Sequence, residues 1–234
     1  MWDNVPLLRA ISNALVMFSV LAMLYGAAHY TVHQSELFPL NSASLTVAPQ
    51  RVAVEEVVQV LSKEAKGNFF TVDIEHLRDS LEQLPWVRKV GIRREFPGGL
   101  TLVLEEHQPL ARWNGDALVN TYGEVFVANS AQALPDFIGQ EGDSFEVARQ
   151  YGEFGRQLAA LNLGITQLAL TPRHAWQLHL DNGMVLELGR EEMERRLARF
   201  VTVYPYSIAL VEGAVRYVDL RYRNGFALGG AFNS

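Results

Sequence analysis

The sequence contains no cysteine among its 234 residues. This absence excludes disulfide bonds, thiolate catalysis and cysteine-ligated metal sites, so the fold must be stabilised by its own hydrophobic cores. The composition provides material for such cores, because hydrophobic residues make up 49% of the chain. The net charge of −6 gives no reason to expect a nucleic-acid partner.

The sequence also lacks the short motifs that carry most enzyme chemistry. It contains no G-x-S-x-G, H-E-x-x-H, P-loop or G-x-G-x-x-G motif. His29 and His33 have a spacing that metal ligands use on a helix, but we interpret them as polar residues at a membrane exit. A membrane-anchored hydrolase would need a nucleophile, a base and an orienting group, and no such set is visible. We therefore expect no enzyme activity and no catalytic, cofactor-binding or metal site, nor a small-molecule substrate.

Charge is missing from one long stretch, which runs from Ala10 to Ala28. As a helix this stretch would rise by roughly 28 Å, close to the ~30 Å hydrocarbon core of a bilayer. We predict a membrane-spanning helix over residues 10–30 and a short cytoplasmic tail at 1–9. The rest of the chain would then lie on the far side of the membrane.

Two further questions about this stretch are its orientation in the membrane and whether it is a membrane anchor, a cleaved signal peptide or a core helix. Arg9 precedes the run and mildly favours a cytoplasmic N-terminus. A secretory signal peptide is an alternative, since the small residues Gly26, Ala27 and Ala28 could form a cleavage site. A buried core helix is a second alternative, which the absence of any polar face disfavours.

A connector at residues 31–43 leads into a pattern typical of a β-α-α-β-β module, which we place at 44–108. Phe69 and Phe70 join the two helices, and we expect both to be buried. The predicted elements are a strand at 45–47, a helix from Val54, a helix capped by Asp73, and strands around 90–92 and 100–104.

After Pro109 the pattern changes to short strands with two amphipathic helices. We predict a mostly antiparallel β domain over residues 109–230, followed by a tail at 231–234, and hence an α+β fold class. The later helix is predicted at 191–204, with ion pairs Glu191–Arg195 and Glu192–Arg196 on its solvent face.

The C-terminal hairpin is the one feature that suggests binding. Asn224 and Gly225 form a turn signal, and no charge follows Arg223. The final strand at 226–229 would lie at the edge of a sheet, where open N–H and C=O groups invite another strand. An ordinary closing hairpin explains the same pattern equally well.

Four stretches together carry a family resemblance. They are FFTVD (69–73) with LPWVRKV (84–90), FPGGL (96–100) with EHQPLARW (106–113), LGR (188–190) with RLARF (196–200), and YVDLRY (217–222) with Gly225. In this order they resemble the FtsQ/DivIB family of bacterial cell division proteins. The resemblance covers essentially the whole chain, and the four stretches together are more specific to the family than any one of them alone.

The resemblance implies a POTRA domain at 44–108 and a non-enzymatic scaffold that links early cytoplasmic and late periplasmic division proteins. It implies a single-pass protein of the cell inner membrane at the division septum, with a cytoplasmic N-terminus and a periplasmic bulk. The implied partners are FtsB and FtsL, which control septal peptidoglycan synthesis, and other divisome proteins that bind the POTRA domain.

In the family, a strand of FtsB adds to the last strand of the β domain, and an arginine before a Trp-Gln-Leu strand belongs to the same interface. The family's aromatic residue near the end of that strand falls at Gly230 here, which is a departure. The candidate partner-binding residues are Arg173, Tyr222, Asn224, Gly225, Phe226, Ala227, Leu228 and Gly229.

An alternative function is that of a POTRA-containing assembly or transport factor of the envelope. Such factors carry a downstream membrane barrel. The part of the chain after Pro109 includes two helices and offers too few strands for a barrel, which needs at least about eight strands of roughly 9–11 residues.

Overall fold

The chain is built from two units, each with its own sheet and its own cluster of buried hydrophobic residues. The units are Met1–Glu106 and His107–Ser234. The fold is α+β, as the sequence pattern predicts. The structure, a computed structural model, describes residues 5–34, 37–210, 214–223 and 225–231.

Helix α1 covers Val5–His33 and extends beyond both ends of the uncharged run. Its 29 residues give a length of roughly 44 Å. None of its residues is buried, so its apolar side chains face outward all round. Within the described part of the chain, α1 alone is long and apolar enough to cross a membrane. It is consistent with a single-pass membrane protein.

The first unit continues as the predicted β-α-α-β-β module. Its sheet has the order β1-β3-β2, in which β1 runs parallel to β3 and β2 runs antiparallel to β3. The elements are β1 (Ser42–Leu45), α2 (Val54–Glu64), α3 (Ile74–Glu82), β2 (Val87–Glu95) and β3 (Gly99–Glu106).

Helix α3 packs through the apolar stripe that its sequence spacing indicates. In α2 the same kind of spacing is only partly confirmed, because Val57 is buried whereas Val54 and Val58 are 44% and 56% exposed. Leu77 and Leu81 of α3 are fully buried beside Val57 of α2 and Leu102 of β3. Asp73 caps α3, since its carboxylate accepts a hydrogen bond from the backbone N–H of His76 at 3.0 Å. The predicted cap is thereby confirmed.

Two local predictions for this unit are wrong. The first strand ends at Leu45 and does not continue through residue 47, because Ser42–Leu45 pairs in register with residues 99–102 of β3. Phe69 is buried as predicted, but Phe70 is 45% exposed, because only one of two adjacent rings can point into the core.

Glu106 ties the end of β3 to the loop before α2. Its carboxylate accepts hydrogen bonds from the backbone N–H groups of Gln50 at 3.0 Å, Arg51 at 2.8 Å and Val52 at 2.9 Å. Burial acts to raise the pKa of the Glu106 carboxyl, but the three N–H donors and the nearby Arg51 charge outweigh it, so the pKa lies below its ordinary value.

The second unit holds a nine-stranded sheet in the order β12-β11-β10-β9-β8-β7-β4-β5-β6. Most neighbours are antiparallel, and the parallel pairs are β4–β7, β7–β8 and β10–β11. The elements are β4 (Pro109–Trp113), β5 (Ala117–Asn120), β6 (Val125–Phe126), β7 (Asp136–Ile138), α4 (Ser144–Leu158), β8 (Ile165–Leu170), β9 (Trp176–Leu180), β10 (Val185–Gly189), α5 (Met193–Val203), β11 (Ala214–Asp219) and β12 (Ala227–Ala231), with short 3-10 turns at Ala159–Leu161, Tyr204–Tyr206 and Ile208–Leu210.

Helices α4 and α5 contact each other and the central strands. Phe154 of α4 is fully buried and packs edge-on against Trp176 of β9, with 5.7 Å between the ring centroids. Along β9, Leu178 and Leu180 are buried while His179 is only half-buried, so the strand alternates between the core and the outer face.

The ion pairs predicted for the last helix are wrong. Helix α5 begins at Met193, so Glu191 lies before the helix, and Glu192 is its N-cap residue with a left-handed φ of 50°, which does not give its side chain the helical i, i+4 placement that the prediction assumed. Glu192 instead pairs with Arg195 at 3.3 Å, and the guanidinium of Arg196 donates to the carbonyl of Leu188 at 2.6 Å.

We predict that Glu106→Gln destabilises the first unit by about 1–2 kcal/mol, because a neutral amide is a weaker acceptor for three N–H donors. The pKa of Glu106 is lower in the folded state than its ordinary value of 4.5. The carboxylate therefore stabilises fully above about pH 4.5, and its contribution is lost as the pH falls through the folded-state pKa.

Hydrogen exchange at the amides of residues 50–52, measured across this acidic range, checks both parts of the prediction. Exchange should accelerate on acidification in the wild type and be fast and less pH-dependent in the glutamine variant, after correction for intrinsic rates. Equal protection in the two proteins at neutral pH would contradict it.

Candidate partner-binding site

Strand β12 lies at one end of the nine-stranded sheet, and among the described residues it pairs, antiparallel, with β11 alone. The pairing joins Asp219 to Ala227, Val218 to Leu228 and Tyr217 to Gly229. The other side of β12 is the free edge of this sheet. The sequence prediction that the last strand is an edge strand is therefore confirmed.

The pairing also shows which backbone groups of β12 face outward. The N–H of Leu220 donates to the carbonyl of Glu187 in β10 at 2.9 Å, so Leu220 faces β10. Backbone groups alternate sides along a strand, so Asp219 faces β12 and forms a hydrogen-bonded pair with Ala227. By the same alternation, the N–H and C=O groups of Leu228 and Gly230 point to the open edge.

The guanidinium of Arg199 in α5 binds described residues of the turn between β11 and β12. It donates to the carbonyls of Tyr222 at 2.8 Å, Arg223 at 2.5 Å and, at longer range, Leu220 at 3.4 Å. Its carbon Cζ also lies 5.2 Å from the ring centroid of Phe226. These contacts fix the path of the chain just before the edge strand.

A second pair stiffens the end of β11. Arg221 donates to the buried carboxylate of Asp219 through Nε at 2.9 Å and through Nη2 at 2.6 Å, and its backbone N–H adds a bond of 3.0 Å. The side-chain hydrogen bond from Arg221 lowers the pKa of the Asp219 carboxyl despite partial burial. The same pairing raises the pKa of the Arg221 guanidinium.

The surface beside the turn is concave and rich in arginine. A cavity of about 250 Å³ lies between α5 and the turn, and a shallower depression of about 400 Å³ follows the start of β12. The first is lined by Glu192, Arg195, Arg196, Arg199, Tyr222 and Arg223. The second is lined by Tyr222, Arg223, Gly225, Phe226 and Ala227. Positive charge and an exposed aromatic ring therefore lie beside the turn and the start of β12.

Arg173 lies in the exposed turn between β8 and β9. The registers align Trp176 with Gly189, Glu187 with Asp219, and Asp219 with Ala227, so this turn and the β11–β12 turn lie at the same end of the sheet. Three strand intervals separate β9 from β12, which corresponds to about 14 Å. Arg173 is thus on the border of the site and not at its centre.

The structure brings most of the predicted site residues together. Ala227, Leu228 and Gly229 form part of β12, Gly225 and Phe226 immediately precede it, and Tyr222 is 58% exposed in the turn. Asn224 lies outside the described residues. The strand predicted at 226–229 begins one residue later and ends two residues later, since β12 covers Ala227–Ala231.

Sequence reasoning missed Arg199 as a site residue. Its carbonyl partners lie 21 to 26 residues further along the chain, so no local spacing connects them. The stretch 196–200 is one of those that resemble the family, but the resemblance assigns no role to the Arg199 side chain. One local feature could have drawn attention to Arg199: it lies between Leu197 and Phe200, which are buried on the apolar side of α5.

Within the described ranges, no three His, Asp or Glu side chains come together as metal ligands would. His29 and His33 stack on each other at the end of α1, with 4.0 Å between ring centroids. Atom Nδ1 of His33 lies 2.8 Å from the carbonyl oxygen of His29, so this ring nitrogen is occupied by the helix backbone.

Comparison with known proteins gives matches along both units. The family model described as Cell division protein FtsQ/DivIB, C-terminal, matches residues 111–221, and the POTRA domain, FtsQ-type, model matches residues 38–107. Cell division protein FtsQ of Nitrosospira multiformis is 40% identical over 98% of this chain and 99% of its own length. The FtsQ proteins of Burkholderia pseudomallei and Escherichia coli are 37% and 36% identical, over 97% and 86% of this chain and 94% and 76% of their own lengths.

We predict that Arg199→Ala loosens the β11–β12 hairpin, because several backbone carbonyls lose a charged donor. A lost hydrogen bond to a charged group costs about 1.5–3 kcal/mol, so amide exchange at Ala227 and Gly229 should accelerate roughly tenfold or more. Arg199→Lys should have an intermediate effect, since lysine keeps the charge but not the planar fork.

The control is the amide of Leu178 in β9, which should exchange at the wild-type rate in both variants. Unchanged exchange at Ala227 and Gly229 in Arg199→Ala would show that the guanidinium does not hold this turn.

Proposed function

The chain belongs to the FtsQ/DivIB family of cell division proteins, and from that premise we propose that it is a non-enzymatic scaffold of the divisome that binds FtsB and FtsL. The binding controls septal peptidoglycan synthesis by joining early cytoplasmic and late periplasmic division proteins. The open edge of β12 is the observation that carries this proposal.

The mode of binding is addition of an FtsB strand to β12. Leu228 and Gly230 each direct one N–H and one C=O group outward, which offers four backbone positions to a partner strand. At about 1 kcal/mol net per hydrogen bond, these groups supply roughly 4 kcal/mol. Micromolar affinity needs about 8 kcal/mol, so side chains must supply the remainder.

The side chains that border the edge are suited to that task. Tyr222 is 58% exposed and Leu228 is 37% exposed, so both can bury apolar surface against a partner. Phe226 is half-buried and lies beneath the guanidinium of Arg199. We propose that Phe226 takes the anchoring role that an aromatic residue at position 230 would have, since Gly230 has no side chain to bury.

Membership of the family supports a proposal for the membrane arrangement. We propose that α1 spans the inner membrane with its N-terminus in the cytoplasm, and that both units lie in the periplasm at the division septum. The POTRA domain would recruit the protein to midcell through other divisome proteins. Localisation of a fluorescent fusion, together with filament formation on depletion, tests this part of the proposal.

We predict that Leu228→Pro weakens binding of the FtsB periplasmic segment roughly tenfold or more, because proline removes an outward N–H and its ring blocks the partner strand. Leu228→Ala keeps the N–H and should cost only a few-fold. Ala227→Pro should instead disrupt the hairpin itself, since Ala227 faces β11. Calorimetric titration measures the affinities, and amide exchange in β11 checks the fold.

Wild-type affinity in a folded Leu228→Pro variant would rule out strand addition at this edge. Equal losses in the proline and alanine variants would instead assign the binding energy to the leucine side chain.

We predict that Arg173→Glu weakens FtsB binding by only a few-fold, because an exposed charge at the border of a site is worth about 0.2–1 kcal/mol. The effect should shrink at high salt, where such pairs are screened. Arg173→Gln is the matched control for loss of charge without reversal. A loss in Arg173→Glu as large as that in Leu228→Pro would place Arg173 in the energetic centre of the interface.

A further inference from the structure

Four phenylalanines from three separate segments of the first unit form one cluster of ring contacts, in which Phe69 is buried and Phe70 and Phe96 are exposed. We call the exposed side of this cluster the phenylalanine surface. The ring centroids of Phe38 and Phe70 are 5.0 Å apart, those of Phe69 and Phe70 are 5.1 Å apart, and those of Phe69 and Phe96 are 6.0 Å apart. Phe70 is 45% exposed and Phe96 is 75% exposed. Clustered exposed rings are unusual on a surface that faces only water.

This surface is joined directly to the end of α1. The side-chain amide of Asn68, which is fully buried, donates to the carbonyls of Val32 at 2.6 Å and Gln34 at 3.1 Å. The backbone N–H of Phe69 donates to the carbonyl of Phe38 at 2.9 Å. The segment that carries Phe69 and Phe70 is therefore hydrogen-bonded directly to the C-terminal end of α1.

The rise of the helix indicates the depth of this junction in a bilayer. Val32 lies four residues beyond Ala28, where the apolar run gives way to His29, which corresponds to about 6 Å along the axis. The polar interfacial layer adds roughly 5–7 Å on each side of the hydrocarbon core. If α1 spans the membrane, Val32 and the side chain bonded to it lie within that layer.

We propose that the phenylalanine surface is a membrane-contacting face, in which Phe70 and Phe96 enter the interfacial layer of the same bilayer that α1 spans. Lipid is the occupant because the surface is continuous with a segment that itself enters lipid. Aromatic rings favour this layer, and Tyr25 and Tyr30 are exposed along the same end of α1. The inference depends on insertion of α1 and not on FtsB binding.

The charges next to Phe96 are compatible with lipid headgroups. Arg93, Arg94 and Glu95 immediately precede it and are exposed at the end of β2. Arg94 also donates to the carbonyl of Val72 at 2.9 Å, which holds its guanidinium near the surface of the unit. These three residues carry a net charge of +1, which favours contact with the negatively charged phosphate groups of lipids.

The test uses the full-length protein in vesicles of phosphatidylethanolamine and phosphatidylglycerol. Because the chain has no native cysteine, single substitutions place one spin label each. Glu95→Cys reports on the phenylalanine surface and leaves all four rings in place. Gln50→Cys is the matched exposed control near the opposite end of β3, since its N–H bonds to Glu106. Leu21→Cys reports insertion of α1.

The measured quantity is the ratio of collisions with oxygen, which concentrates in lipid, to collisions with a water-soluble nickel chelate. We expect this ratio to be several-fold higher at position 95 than at position 50, and highest at position 21. The double variant Phe70→Ser with Phe96→Ser should lower the ratio at position 95 toward that at position 50, with position 21 unchanged.

Equal ratios at positions 95 and 50, with position 21 in lipid, would overturn the proposal. So would a ratio at position 95 that the two serines do not change, because the rings would then not drive the contact. Shielding of position 95 from both oxygen and nickel would mean a protein partner in place of lipid. A label in water at position 21 would remove the premise and the proposal with it.

Discussion

This structure depends on one constraint: backbone N–H and C=O groups at the ends of helices and strands still need hydrogen-bond partners, although no helix or strand supplies them. Three polar side chains satisfy such groups from far along the chain: Asn68 at the end of α1, Glu106 before α2, and Arg199 at the turn between β11 and β12. Each stabilises a junction where regular structure stops. The outer edge of β12 differs, because its N–H and C=O groups face away from the sheet to which the strand belongs.

In the turn before β12, backbone carbonyls accept hydrogen bonds from Arg199, whereas the outward groups of β12 have no partner strand in the described part of the sheet. The candidate site is therefore ordered and yet open to a partner strand. A strand that must order itself on binding loses affinity to conformational entropy. Here Arg199 and the Asp219–Arg221 pair order the approach to β12 beforehand, while they leave its outer side free. The proposed partner would therefore meet a prearranged template, with Tyr222 and Phe226 beside it as apolar contacts.

Local elements of the fold could be predicted because their causes lie in neighbouring residues. The buried stripe of α3 and the Asp73 cap both follow from short spacings, whereas the stripe expected for α2 leaves Val54 and Val58 exposed. The pairing of Glu191 failed because the start of α5 is displaced by only two residues. Arg199 could not be assigned a role, since its contacts depend on the tertiary packing of α5 against a turn 21 to 26 residues away.

The opposite edge of the nine-stranded sheet has a consequence for stoichiometry. Strand β6 comprises only Val125 and Phe126, and an edge this short offers almost no template for another chain. The proposed strand addition on this sheet is therefore one-sided: a partner strand would extend the sheet at β12, whereas the two-residue edge strand β6 offers little template for a second copy of this chain. Such a sheet favours a closed complex of defined composition over an open-ended fibre.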